Sequence, residues 1–237
     1  MLIQSALAFS STQTSVSLMN WSIHESPPPR PMHAYDRAGQ FGAWLVRNPN
    51  KNCLDTRALV LIRESKGPTT PWSVDPCYVG QGAWHDPYTS QNFIEAQKLQ
   101  IDHVVALKNA YISGAFAWSA KARCAYANFL GSQYHLLAVE ARTNTQKGDS
   151  TPARWLPPNG SFRCAYLSAW LRIKLTWQLM LSDDEARAIH QQVREFNCRP
   201  ADFMMPTKEL FEQRRLISKG VEECPSTPPK PRIPSKF

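Results

Sequence analysis

No two of the six cysteines, Cys53, Cys77, Cys124, Cys164, Cys198 and Cys224, stand close enough to form the C-x-x-C-like knuckle of a structural zinc site. A zinc ribbon is excluded. An even set of widely spaced cysteines fits disulfides made in an oxidising compartment, although a chain of 237 residues does not need staples to hold a core. The length suits one ordinary domain with appendages, or two small ones. With 43% hydrophobic residues and eight tryptophans there is enough apolar mass for a core, while the longest clean apolar run, Ala58 to Ile62, is too short to cross a bilayer.

The two ends differ from the middle. The stretch to about His33 is rich in Ser and Thr and then carries Pro27, Pro28, Pro29 and Pro31, so residues 1–33 are expected to form a disordered or loosely attached arm. Residues 225–237 hold five prolines, three basic residues and no acid, and are expected to be a tail with almost nothing to bury. A domain over 34–199 lies between, followed by a short helix and the basic tail over 200–237. Residues 1–23 are uncharged, and Ala6-Leu7-Ala8-Phe9 looks like the end of a signal peptide, but the basic start and full apolar core of one are missing. A secreted or periplasmic location is favoured, with the cytoplasm left open and no membrane partner.

Asp55-Thr56-Arg57 leads into Ala58-Leu59-Val60-Leu61-Ile62, which reads as a buried strand. Asp75-Pro76 and His85-Asp86-Pro87-Tyr88 mark turns. Tyr166, Trp170, Ile173 and Trp177 recur at spacings of four, three and four, the stripe of a helix from about 164 to 180. Ser182 with Glu185 makes a capping box for a second helix, whose stripe is Ala186, Ile189, Val193 and Phe196. A short helix around 208–219 follows.

The chain carries a formal net charge of +8, and between Lys98 and Met180 ten basic residues face three acids, a surplus of seven. That concentration predicts either a phosphate-attracting face or a solvated basic surface. Within it stands Ile101-Asp102-His103-Val104-Val105, then His135-Leu136-Leu137-Ala138-Val139, then Asn144-Thr145-Gln146-Lys147-Gly148-Asp149. On extended backbone an adjacent Asp and His point in different directions, one toward a metal and the other toward a water. Such a pair suits phosphodiester hydrolysis, the imidazole taking the proton of the attacking water and the metal neutralising the departing oxygen. An Asn on a following helix supplies a second hard ligand.

These pieces, together with Cys53-Leu54-Asp55-Thr56-Arg57, Trp84-His85-Asp86-Pro87-Tyr88-Thr89, Tyr126-Ala127-Asn128 and Trp155-Leu156-Pro157-Pro158-Asn159, resemble in order the HNH endonuclease family. This is the ββα-metal or His-Me finger group, and the likeness is to its branch related to the C-terminal domain of GmrSD-type restriction enzymes. It runs from about Tyr35 to Cys198 and implies an α+β fold with a ββα-metal core and flanking C-terminal helices. By that resemblance His103 is the general base, Asp102 and Asn144 hold one divalent ion, Mg²⁺ or Mn²⁺, and Lys147 lies near the scissile phosphate. The family usually has Asn where His135 stands. His135 is therefore expected to brace the loop and orient the base, ahead of a plain strand histidine or an extra metal ligand, with Asn128 a second candidate for bracing. Ala106 stands where relatives often carry proline. Lys108, Arg57 and Arg142 are candidate nucleic-acid contacts, although Arg57 and Arg142, like Arg63 and Arg154, are equally explained as surface charges or acids' partners. Cys53 and Cys77 are expected to pair, since both precede the Asp102-His103 motif.

The implied function is metal-dependent hydrolysis of DNA, with RNA also open, at low sequence specificity because no base-reading module is visible. An immunity or inhibitor protein is an open partner. Two other readings stand beside it: an HNH-like module that binds nucleic acid without cutting, and a cysteine-stapled secreted domain with an incidental basic cluster.

Overall fold

The computed structural model describes residues 14–20, 31, 33–46, 53–72 and 75–230. Most of the N-terminal arm and residues 231–237 lie outside them. The fold is mixed α+β, with three small antiparallel sheets and eight helices among the described residues. In chain order these are β1 (Ser15–Ser17), α1 (Arg37–Gln40), α2 (Thr56–Glu64), β2 (Thr70–Trp72), β3 (Asp75–His85), β4 (Asn92–Glu95) and β5 (Leu99–His103). Then come α3 (Leu107–Ile112), α4 (Ala120–Ala127), β6 (Leu136–Glu140), α5 (Ala141–Lys147), α6 (Arg163–Thr176), α7 (Asp183–Glu195), β7 (Met204–Pro206) and α8 (Thr207–Glu223).

The stretch expected as a strand, Ala58–Ile62, is helical and forms the body of α2. A short apolar run does not distinguish strand from helix, and Asp55 decides it. Its carboxylate accepts from the Ala58 N–H and caps the first turn. The charged ends of α2 then seal the two-stranded sheet β5-β6. Glu64 accepts from the Ala138 N–H, Arg63 donates to the Leu136 and Ser132 carbonyls, and Arg57 donates to those of Ala96 and Leu99. Strand edges that would otherwise be open are covered.

Ser15–Ser17, expected in a loose arm, pairs with β7, and Val16 and Leu18 are buried. The tail departs from expectation as well. The Ala43 N–H donates to the Pro229 carbonyl at 2.8 Å, and Gly42, at φ +74°, leaves room for Pro229 where a Cβ would come within 2.4 Å of its ring. Helices α6 and α7 follow the sequence pattern, including the Ser182–Glu185 capping box, while α8, expected as a short helix around 208–219, runs for 17 residues. Tyr166, Trp170, Ile173 and Trp177 are all buried, but so are Leu167 and Leu171, so α6 is enclosed on more than one face. Disulfides join Cys53 to Cys77, as expected, and also Cys124 to Cys224 and Cys164 to Cys198.

Candidate active site

Strand β5 ends at Asp102-His103 and pairs antiparallel with β6, placing Asp102 opposite Leu137 and His103 opposite Leu136. Between the two strands the chain passes through α3 and α4, and the last carbonyls at the C-terminal end of α4 accept from the site's two histidines. His135 Nε2 donates to the Tyr126 carbonyl at 2.8 Å and His103 Nε2 donates to the next carbonyl, Ala127, at 2.9 Å. Because a carbonyl only accepts, the Ala127 bond places the neutral ring's proton on Nε2 and leaves Nδ1 of His103 as the lone-pair nitrogen.

The His103 ring lies parallel to the Trp44 indole, 5.3 Å between centroids, and parallel to Tyr126 at 6.4 Å. Asn128 fixes Trp44 from both sides: its amide oxygen accepts from the Leu45 N–H, and its nitrogen donates to the Ala43 and Cys124 carbonyls. Burial pushes the His103 imidazole well below its ordinary pKa and that of His135 down to about 4. His103 is thus a neutral base at neutral pH. His135 meets the His103 ring edge-on at 6.3 Å, while its own Nδ1 is buried without a partner.

Asp102 is 4% exposed, and both its oxygens are engaged. Lys147 Nζ donates to Oδ1 at 2.9 Å and to the His103 carbonyl at 3.1 Å, and the Tyr88 hydroxyl donates to Oδ2 at 2.5 Å. Burial raises the Asp102 carboxyl, against the opposing pull of Lys147 and Tyr88. Tyr88 gets there through the expected turn, in which the Asp86 carboxylate accepts from the Tyr88 and Thr89 N–H groups. Lys147, expected near a phosphate, is fully buried and is a partner of Asp102 instead. Gly148, at φ +53°, ends α5 directly behind it. Arg57 likewise spends its guanidinium on backbone carbonyls. Of the other expected contacts, Arg142 is exposed on α5, and Lys108 is exposed and ion-paired with Asp149 at 2.6 Å.

Asp102, His103, Asn144, Lys108 and Asp149 line one polar cleft of about 330 Å³. Asn144 donates its amide nitrogen to Gln100 at 2.8 Å, which leaves the amide oxygen as the atom available to a cation. Arg37, which no sequence pattern singled out, lines this cleft and also a second, apolar one that His103 borders too. Among the described residues no group of three or more His, Cys, Asp or Glu side chains converges on a common point. The oxygen donors nonetheless suit a hard divalent ion, since Mg²⁺ is usually held by one or two protein oxygens together with waters and substrate phosphates. Lys147 offsets the Asp102 charge, so such an ion would bind weakly until phosphate oxygens join it.

Trp44 stands in no motif and was not identifiable as a site residue in the sequence, whereas Tyr88 lies in one of the family-matching stretches, in what otherwise reads as a turn. The family model for GmrSD restriction endonucleases, C-terminal domain, matches residues 56–192. An "Uncharacterized secreted protein" of Arthroderma benhamiae is 34% identical over 162 residues, spanning 68% of this chain and 76% of that protein. No solved structure matches. The matched family is one of endonuclease domains, which makes nucleic acid the substrate class it suggests. With the match covering more than half of its length, the chain belongs to the GmrSD restriction endonuclease C-terminal domain family.

Proposed function

We propose that the protein is a secreted, metal-dependent endonuclease of the ββα-metal type that hydrolyses DNA phosphodiester bonds with low sequence specificity. The observation that carries this reading is the His103 imidazole, its Nε2 proton held by the Ala127 carbonyl and its ring lining the same cleft as Asp102 and Asn144. Nδ1 of His103 accepts a proton from water as the water oxygen bonds to phosphorus, and the bond from phosphorus to the 3′ oxygen breaks. Asp102 and Asn144 would hold a divalent ion, Mg²⁺ or Mn²⁺, whose contribution is to neutralise charge on the departing oxygen. Lys147 and Tyr88 counter the rise that burial gives the Asp102 carboxyl and orient it inside the protein. Lys108 and Arg142 are the expected side-chain contacts to the nucleic-acid backbone.

Secretion is supported by the three disulfides and by the name of the fungal relative. A second reading, a scaffold that binds nucleic acid without cutting it, is favoured by one observation: both Asp102 oxygens already have partners. Incubating the protein with supercoiled plasmid and Mg²⁺ or Mn²⁺, with and without EDTA, separates the two. Nicking and linearisation that EDTA abolishes is expected, and retention of the plasmid without cleavage in either metal selects the binding scaffold.

A further inference from the structure

The apolar cleft beside His103, about 710 Å³, is walled by Trp44, Tyr78, Leu107 and the tail residues Pro228 and Pro229, with Arg37 and Lys230 among its lining cations. It shares Tyr78 and Arg57 with a further cleft of about 590 Å³ that opens toward Trp72. Trp72 meets Tyr78 edge-on at 6.4 Å and is 52% exposed. Trp72 thus presents its indole to solvent on the short strand β2, at the edge of that cleft. The disulfide between Cys53 and Cys77 anchors β3 next to Tyr78, and the Cys124–Cys224 disulfide with the Gly42–Pro229 contact anchors the opposite wall. The result is a braced path with three aromatic rings along it, running from the candidate base to the rim of the β2-β3-β4 sheet.

Every nucleobase has a flat face that stacks on such rings, and a backbone tracks cations, so aromatic platforms set among Arg and Lys are a means of holding single strands. Paired bases in a duplex do not offer those faces. We infer that this path takes an unpaired stretch of nucleic acid, with successive bases against Trp72, Tyr78 and the Trp44 side of the cleft. The scissile phosphate is thereby delivered to His103 from a strand locally freed of its complement. The inference rests on the nuclease reading for its chemistry, but not for its binding.

The test is fluorescence anisotropy in EDTA with three labelled twelve-nucleotide probes: a deoxythymidine strand, the same backbone with abasic sites, and a duplex. The base-bearing strand should bind more tightly than the abasic one by about 5- to 150-fold, the range of one stacked base. Trp72→Ala, at an exposed position, should remove much of that advantage without weakening abasic binding, and Tyr78→Ala should do so too. Equal affinity for base-bearing and abasic strands, or tightest binding of the duplex, overturns the inference. Because wild-type protein alone decides between the probes, a poorly folding variant does not rescue it. Plasmid cleavage without a base advantage sinks this inference alone, whereas a base advantage with no cleavage in any metal sinks only the nuclease reading.

Discussion

Among the described residues two lysine–carboxylate pairs lie fully inside the protein, and they differ in what they adjoin. Lys174 on α6 donates to Glu185, to the Ser113 hydroxyl and to the Met180 carbonyl, while Glu185 also accepts from the Ser182 N–H and the Asn109 amide. All three ammonium protons have acceptors, and the pair fastens α3, α6 and α7 together. Lys147 has two acceptors, Asp102 and the His103 carbonyl, and its carboxylate borders the polar cleft. The same chemistry is a sealed structural joint in the helical half and the support of a candidate catalytic group in the sheet-centred half. Burial of a charge therefore does not by itself mark function, and adjacency to a cleft separates the two.

The largest effect expected on that contrast is on cleavage. His103→Ala should lower the rate by ~10²–10⁴-fold, the usual loss on removing a general base, while leaving Asp102 and Asn144 to bind metal. Lys174→Met should leave the rate per folded molecule near wild type. Single-turnover rates on plasmid at saturating metal check both, and near-normal cleavage by His103→Ala would falsify the assignment of the base.

Next in size are the pairs themselves. Lys147→Met and Lys174→Met should each destabilise by about 3–5 kcal/mol, because each strands a buried carboxylate. Replacing both partners of either pair with apolar residues should recover much of that loss. The comparison sharpens in the double variants: Lys174→Met/Glu185→Leu should regain stability and cleave at a near wild-type rate, and Lys147→Met/Asp102→Leu should regain stability without cleavage. Urea melts read alongside plasmid digestion decide it.

Acid should act on the sheet-centred half. The folded His135 resists protonation down to about pH 4, whereas in the unfolded chain it takes up a proton near its ordinary 6.5. Its contribution is present above about pH 6.5 and is lost as pH falls toward 4, amounting to about 3 kcal/mol. His103 acts in the same direction. Denaturation midpoints measured between pH 7.5 and pH 4.5 should fall, and His135→Gln, whose amide can still donate to the Tyr126 carbonyl, should flatten the slope. An unchanged slope in that variant would remove His135 as the cause.

The smallest effect concerns Lys108–Asp149, an ion pair at the cleft mouth with both side chains about half exposed. Lys108→Ala should change stability by less than about 1 kcal/mol, as surface pairs do. It should instead weaken DNA binding and reduce its dependence on salt by about one released counterion. Calorimetry at several salt concentrations reads both, and an unaltered salt dependence would take Lys108 out of the nucleic-acid contact.

The excess of basic residues shows how far the sequence reached. Ten were counted between Lys98 and Met180, but Lys147 and Lys174 are buried with acids, Arg123 and Arg163 donate to backbone carbonyls, and Arg172 is paired with Glu209. Net charge is additive along a chain, whereas its display at a surface is decided by folding. Local signals were dependable where the deciding interaction is itself local. The Ser182–Glu185 box and the spacing of Tyr166, Trp170, Ile173 and Trp177 dictate α7 and α6 within a few residues, and the order of the Asp-His, His and Asn segments identified the family. Ala58–Ile62 read as a strand by pattern and is a helix, its first turn capped by Asp55.

What the sequence could not determine is which groups meet across long separations. Trp44 reaches His103 only because Asn128, far along the chain, bonds the backbone on both sides of it. Tyr88 reaches Asp102 only because an Asx turn aims it there, and Pro229 walls the cleft only because Gly42 lacks a side chain. The residue types for a neutral imidazole base and a held carboxylate are written in the sequence. Their protonation states and partners come from burial, since desolvation and hydrogen bonding act through space and have no period along a chain.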